Sequence, residues 1–202
     1  MDDLFDDMLK SGPVNHGRHL QIVGSSRNDG PRADADFYPT PRIAITSLLN
    51  QEKFNGNIFE PACGAGHISK VLKEYNYTVI SSDLVNRGYG DFFETFLTCN
   101  KRFDNIVTNP PFNLALEFIN RAKTVSKEKI AFLLKTTFLE SKERYYMFQD
   151  KIFPLSKVYQ FSNRIRMGKG INDDGGSGGM IAFAWFIWDK NHIGSPTIHW
   201  IL

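Results

Sequence analysis

The sequence predicts an α/β domain: a mostly parallel sheet with helices on both faces and an antiparallel C-terminal edge. Three observations lead there. From Asp36 onward, short apolar runs alternate with amphipathic runs of helical period, the pattern of repeated strand–helix–strand units. Several apolar runs end in Pro, Gly or Asp turns, where strands leave a sheet. The last two runs, 180–188 and 196–201, have no helix between them, so they are expected to close the sheet as an antiparallel hairpin.

The elements follow in order. Thr40-Pro41 opens a helix, Thr40 as N-cap and Pro41 at the first helical position, with Ile43, Ala44, Leu48 and Leu49 on its core face. Residues 57–60 form a short strand running into Pro61-Ala62-Cys63-Gly64-Ala65-Gly66. A helix is expected from His67 to Tyr75, with Ile68, Val71 and Leu72 inward. Strands at 77–83 and 103–108 come next, then a helix from Asn113 to about Val125 and a strand at 129–135. Ser141 opens a further helix to Phe153, and strands at 158–161, 180–188 and 196–201 bring the strand count to seven. Gly168 to Gly179 is too polar and glycine-rich to pack and reads as a flexible loop.

At 202 residues the chain suits one domain with a sizeable core, and 42% apolar residues with 17 Phe support a folded protein. Residues 1–35 hold four basic and six acidic residues with little periodicity and read as a disordered tail. Leu4, Phe5, Met8 and Leu9 within it could alternatively form a short helix that docks on a partner. The catalytic domain is expected over 36–202. That body is mildly basic, twenty Lys/Arg against sixteen Asp/Glu, which permits a nucleic-acid partner without demanding one. Cys63 and Cys99 are too few and too far apart for a zinc cluster or a disulfide framework, so no metal is expected. The acidic N-terminus is unlike a signal peptide and the longest apolar run is too short to span a membrane. These features predict a soluble intracellular protein.

Asn109-Pro110-Pro111-Phe112 is the most informative segment, because it sits where an apolar strand leaves the sheet. Two prolines stiffen the turn and remove two backbone donors. The Asn109 amide beside the fixed Pro110 carbonyl makes a two-acceptor grip for an exocyclic amino group. Phe112 can stack on the flat group that carries the amine, with Pro111 setting the turn between them. The segment resembles the motif of amino methyltransferases that use S-adenosylmethionine. The order of elements is similar to the seven-stranded Rossmann-like core of class I methyltransferases.

Other segments fit that resemblance, which covers about residues 37–140. The turn at 61–66 follows a strand and precedes a helix, and Gly64 and Gly66 allow close backbone approach to a ligand. A third glycine is missing, so a pyrophosphate is poorly served while an amino-acid-plus-adenosine ligand is not. Asp83 ends the next strand, where two acceptor oxygens suit the two hydroxyls of a ribose. The resemblance further implies that Glu60 orients the methionine ammonium end, and that Pro61 and Ala62 belong to the cofactor loop. Tyr38 and Thr40 would face the cofactor carboxylate. Asp91 and Phe92 would hold its adenine, and Asn109 would touch both cofactor and substrate. The motif order is that of gamma-type amino methyltransferases.

The implied reaction is methylation of the N6 amino group of adenine in nucleic acid, DNA ahead of RNA. The target base would be flipped or already unpaired. Arg164, Arg166 and Lys169 lie before and within the glycine-rich stretch, either as phosphate contacts or as an ordinary solvated basic run; Lys142 and Arg144 read the same way. Sequence-specific enzymes of this order usually carry a large target-recognition domain, and only about twenty irregular residues stand between Asn163 and Met180. A protein partner or a homodimer is therefore expected to supply recognition. Two alternatives stay open: methylation of a glutamine side-chain amide, and a methyltransferase-like subunit without catalysis.

Overall fold

Strand and helix alternate through the structure, a computed structural model that describes residues 37–170 and 172–202. The expected N-terminal tail, with Leu4, Phe5, Met8 and Leu9, lies outside the described residues. In chain order the elements are α1 Arg42–Gln51, β1 Ile58–Glu60, α2 His67–Glu74, β2 Val79–Asp83, β3 Phe92–Phe93, β4 Phe103–Thr108 and α3 Ala115–Val125. Then come β5 Ser126–Lys135, α4 Tyr145–Phe148, β6 Leu155–Phe161, β7 Ile165–Arg166, β8 Gly176–Ser177, β9 Phe183–Asp189 and β10 Thr197–Ile201.

Eight strands make one sheet in the order β10-β6-β9-β5-β4-β1-β2-β3. Strand β9 runs antiparallel to both of its neighbours, β5 and β6, and every other pairing in the sheet is parallel. The mostly parallel sheet with its antiparallel element in the C-terminal half is as expected. The pairing at its edge differs. β9 and β10 do not form a hairpin: β9 inserts between β5 and β6, and β10 adds to β6 in parallel. The eighth strand is β3, two residues that the apolar pattern was too short to reveal.

Strands buried on both faces read as continuous apolar runs, and β9, Phe-Ala-Trp-Phe-Ile-Trp-Asp, is buried at every position but the last. Its side chains alternate between two cores. Phe183, Trp185 and Ile187 face α1 and α2 with Ala44, Ile45, Leu48, Ile68 and Leu72. Ala184, Phe186 and Trp188 face α3 with Phe118, Ile119 and Ala122. The Trp185 indole N–H donates to the Ala44 carbonyl at 2.8 Å, pinning α1 to the sheet.

Three local expectations are corrected. α1 has Pro41 as its N-cap, with no side-chain cap bond, because the Thr40 hydroxyl is engaged elsewhere. The helix expected over 141–153 is a single turn, α4. Ser141 Oγ accepts from the Glu143 N–H and Asp150 accepts from the N–H groups of Ile152 and Phe153, so local turns take the donors a helix would have used. The glycine-rich stretch is a built hairpin, β7 pairing β8. Asp173 holds it through a two-pronged ion pair with Arg166 at 2.7 and 3.1 Å. Gly175 has φ +75° and lies where a Cβ would come 2.3 Å from the Arg166 carbonyl oxygen. Gly168, Gly175 and Gly179 serve close packing, while Gly170 and Gly178 sit in open space with left-handed backbones.

Candidate active site

Parallel strands end together at one edge of a sheet, and ligands collect where neighbouring strands lead their chains to opposite sides. In this sheet β1 lies between β4 and β2. The glycine loop follows β1, Asp83 ends β2, and Asn109 follows β4.

Asn109 is the best-defined residue of the site. Its Nδ2 faces the Thr40 Oγ1 at 3.1 Å, the Tyr38 carbonyl at 3.4 Å and the Met167 sulfur at 4.0 Å. Its Oδ1 is buried and has no partner among the described residues. An unmatched buried acceptor costs about 1–3 kcal/mol, so it marks a place for a donor from outside. After Asn109 the two prolines lead into a 3-10 turn over Phe112–Leu114, in which the Leu114 N–H donates to the Pro111 carbonyl. That turn uses the second proline's carbonyl and not that of Pro110.

The half-buried Phe112 ring sits between aromatic neighbours. It stacks on Tyr38 with centroids 6.0 Å apart and tilts against Phe183 at 5.7 Å. The Lys135 ammonium stands 5.0 Å from the ring centre, a cation–π contact. Lys135, Phe183 and Met167 were not apparent as site residues from the sequence. Only Lys135 carries a signal there, a basic residue ending a buried strand.

On the other side of β1, Gly64 and Gly66 both have left-handed backbones, φ +53° and +81°. A side chain at Gly64 would meet the Phe37 ring and one at Gly66 the Tyr89 ring. Only glycine fits at either position. Asp83, 8% exposed, ties the loop down. Its Oδ2 accepts from the Gly64 N–H at 2.7 Å, and its Oδ1 from the Val85 N–H and the Arg87 guanidinium. Pro61 and Ala62 lie between β1 and this turn, and the Cys63 N–H donates to the Ser82 carbonyl. Burial pushes the Cys63 thiol up to about 12, which leaves it an inert packing group. The Ser82 and Thr108 hydroxyls, at the ends of β2 and β4, are fully buried and unpartnered among the described residues.

Other expected residues are placed differently. Glu60 is turned into α2, where its carboxylate accepts from the Ser69 N–H at 2.8 Å and from the Ser69 hydroxyl. Burial pushes it up to about 8, which favours its neutral form, and it caps a helix instead of presenting a charge for an ammonium group. Asp91 is spent on the sheet: its Oδ2 accepts from the Ser81 N–H at 2.7 Å. The Phe92 ring packs on Phe59 and leaves Phe93 as the exposed aromatic there. Arg166 is neutralised by Asp173, whose carboxyl it holds well below the usual range. Arg164 donates to the Met180 carbonyl, and the Lys169 ammonium has no partner among the described residues.

The β7–β8 hairpin joins the two halves of the site. The Gly168 N–H donates to the Pro39 carbonyl at 2.8 Å, and Asp174 reaches His67 at the start of α2 at 3.2 Å. Met167, on the same hairpin, is the residue against Asn109.

No family model matches the chain, and no curated protein matches it in sequence. Solved structures do. A candidate RNA methyltransferase from Pyrococcus horikoshii is 15% identical, aligned over 80% of this chain and 90% of its own, with a TM-score of 0.61. The M protein of the type I restriction enzyme EcoKI is 13% identical over 80% of this chain and 47% of its own, at TM-score 0.55. This chain therefore spans about half the length of the EcoKI subunit. Magnesium protoporphyrin IX methyltransferase from Synechocystis PCC 6803, with S-adenosylmethionine bound, is 11% identical over 73% of this chain and 76% of its own, at TM-score 0.51. The fold is thus the Rossmann-like fold of methyltransferases. By their names, these proteins act on substrates as unlike as RNA and a porphyrin, so the substrate here must be argued from the site.

Proposed function

We propose that this chain is an S-adenosylmethionine-dependent methyltransferase acting on the exocyclic N6 amino group of adenine in nucleic acid, DNA ahead of RNA. The observation that carries the proposal is the buried, unpartnered Oδ1 of Asn109, three residues before the half-buried Phe112. Oδ1 accepts a hydrogen of the amino group, and the Pro110 carbonyl, which the following turn does not use, accepts the other. An exocyclic amine conjugated to a ring is a poor nucleophile. Holding both hydrogens out of the ring plane localises its lone pair, and the stiff prolines make the arrangement before substrate arrives. Phe112 holds the base by its face, worth roughly 1–3 kcal/mol for base–aromatic stacking. Asn109 is no base, so the departing proton goes to water.

The residues present fit the cofactor. Gly64 and Gly66 make a turn that only glycine can make, and Asp83 is buried beside it; its Oδ1 is filled by Val85 and Arg87, and its Oδ2, which takes the Gly64 N–H, keeps a lone pair for a hydroxyl. The unpartnered Ser82 and Thr108 hydroxyls lie at the same strand ends. Bound there, S-adenosylmethionine would supply an electrophilic methyl group. Gly64, Gly66, Pro61, Ala62 and Asp83 would hold it, with Tyr38 at its methionine end, while the Thr40 hydroxyl is taken by Asn109 and Asn109 serves the substrate. Among the described residues no helix is long and apolar enough to cross a membrane, and the nucleic acid would be met at the Phe112 side, near Lys135 and Lys169. Recognition of longer sites would fall to a partner subunit or a second copy.

The test is incubation of the protein with labelled cofactor and DNA, RNA or cell extract, followed by mass spectrometry of the products. N6-methyladenine is expected. Methylglutamine in protein as the sole product would overturn the nucleic-acid reading, since the same grip fits a planar amide.

A further inference from the structure

Resting on that reading, we infer that Thr40 holds the plane of the Asn109 amide, in the orientation that the Tyr38 carbonyl and the Met167 sulfur select, and is a positioning residue for the transfer. Thr40 is 4% exposed. Its hydroxyl makes no helix-cap bond, since Pro41 occupies the cap of α1. What it does is accept from the Asn109 Nδ2 at 3.1 Å, across 69 residues of sequence.

The amide has two possible orientations, and its surroundings admit one. The Tyr38 carbonyl and the Met167 thioether, both near Nδ2, can accept and cannot donate. Turned over, the amide would set its oxygen against a carbonyl and a sulfur lone pair, and would leave a buried NH₂ without an acceptor. The Tyr38 contact is long at 3.4 Å and the sulfur is 4.0 Å away. The Thr40 hydroxyl is the nearest of the three, and its bond is the one that holds the plane of the amide. Nδ2 is thereby used up inside the protein and Oδ1 alone is offered to a ligand. At this point the site can only accept a hydrogen bond, so an acceptor group that carries no hydrogen on its reacting atom finds no partner there. Thr40 acts on the substrate through Asn109, and the stiff Tyr38-Pro39-Thr40-Pro41 segment makes that setting permanent.

The experiment compares wild type with Thr40→Val, which keeps the shape and loses the acceptor, Thr40→Ser, which keeps it, and Thr40→Ala, for the case in which valine disturbs packing. Three quantities are read: turnover and KM on DNA, cofactor affinity by calorimetry, and exchange protection of the Asn109 side-chain NH₂ by NMR. That signal is assigned by its disappearance in Asn109→Asp. Thr40→Val should lower kcat by roughly ten- to a hundredfold, the scale of a small misplacement of a reacting group, with cofactor affinity within about twofold. The Asn109 NH₂ should lose protection about tenfold or more, and Thr40→Ser should restore both properties. Lost cofactor affinity with an unchanged Asn109 signal would overturn the inference in favour of a direct cofactor contact. Wild-type turnover and protection in Thr40→Val would overturn it outright. If wild type methylates no nucleic acid while the NH₂ signal behaves as stated, the proposed reaction fails and the positioning role stands.

Discussion

Replacing Glu60 by glutamine should remove most of a pH dependence of stability that the fold builds into β1. Glu60 is 1% exposed, and burial raises its carboxyl from 4.5 to about 8, with the Ser69 hydroxyl and N–H opposing and the Asp83 charge adding. Between those two values the folded protein keeps a proton that the unfolded chain has lost. Stability is therefore fully present below about pH 4.5 and is lost as pH rises toward about 8 and beyond. At about 1.4 kcal/mol per pH unit, the interval from 4.5 to about 8 caps the loss at about 5 kcal/mol. From about pH 5 to about pH 9 roughly 4 kcal/mol of that should be lost. Glutamine keeps a carbonyl for Ser69 and cannot titrate. Urea unfolding of both proteins over this range should show the stability of wild type relative to Glu60→Gln falling by several kcal/mol. The Cys63 thiol titrates near 12, outside the window. The lowered carboxyls Glu52, Asp104, Asp150 and Asp173 titrate below it. Parallel profiles would show that the folded protein ionises Glu60 as readily as the unfolded chain, and the reading of Glu60 as a neutral helix cap would be wrong.

Asn109→Ala should cost about a hundredfold or more in turnover, the usual scale for removing a preorganised polar group, while calorimetry finds cofactor affinity near wild type; intact turnover would end the amino-grip mechanism. Asp83→Ala removes the acceptor that holds the Gly64 N–H and the Arg87 guanidinium. It should weaken S-adenosylmethionine binding by roughly 1.5–3 kcal/mol, the range for hydrogen bonds to charged groups, and an unchanged affinity in a folded variant would take Asp83 out of the site. Gly175→Ala forces a Cβ against the Arg166 carbonyl at a left-handed position. The hairpin should open, and trypsin should cut after Arg164, Arg166 or Lys169 faster than in wild type; an unchanged cleavage rate would mean that the hairpin tolerates the methyl group.

Long periodic features of this chain were readable in the sequence because they are local. The runs at 103–108 and 129–135, each with five buried positions, are strands because so short an apolar run between turns suits a buried strand, and the turn at 61–66 is legible from its glycines and its place between strand and helix. Non-local facts were not readable. Thr40 before Pro41 has the local signature of a helix cap, yet its hydroxyl goes to Asn109, and no pattern within a few residues of either one says so. Glu60 in the position of a charged ligand is pushed toward its neutral form by burial, and its carboxyl goes to Ser69, nine residues on, because the helix start folds back over it. The stretch from Gly168 to Gly179 is polar and rich in glycine, which suggests freedom. Two of its glycines, Gly175 and Gly179, instead press on the backbone of β7, a contact no local pattern shows. Serine and aspartate ended the helix expected after Ser141, although its aromatic residues have helical spacing.

The insertion of β9 between β5 and β6 has a consequence for how the chain is made. A ribosome delivers β5 and β6 first, and they cannot pair with each other across a gap one strand wide. Until residues 183–189 emerge, each presents an unpaired edge of apolar backbone, the kind of edge that recruits other chains. At ordinary rates of synthesis the 28 residues from Phe161 to Asp189 take roughly one to six seconds. A chain cut short before Phe183 would stay in that condition permanently, with Asn109 and the glycine loop already in place but half the sheet open. Fragments ending there should precipitate, and the nascent protein should need shelter over the same interval.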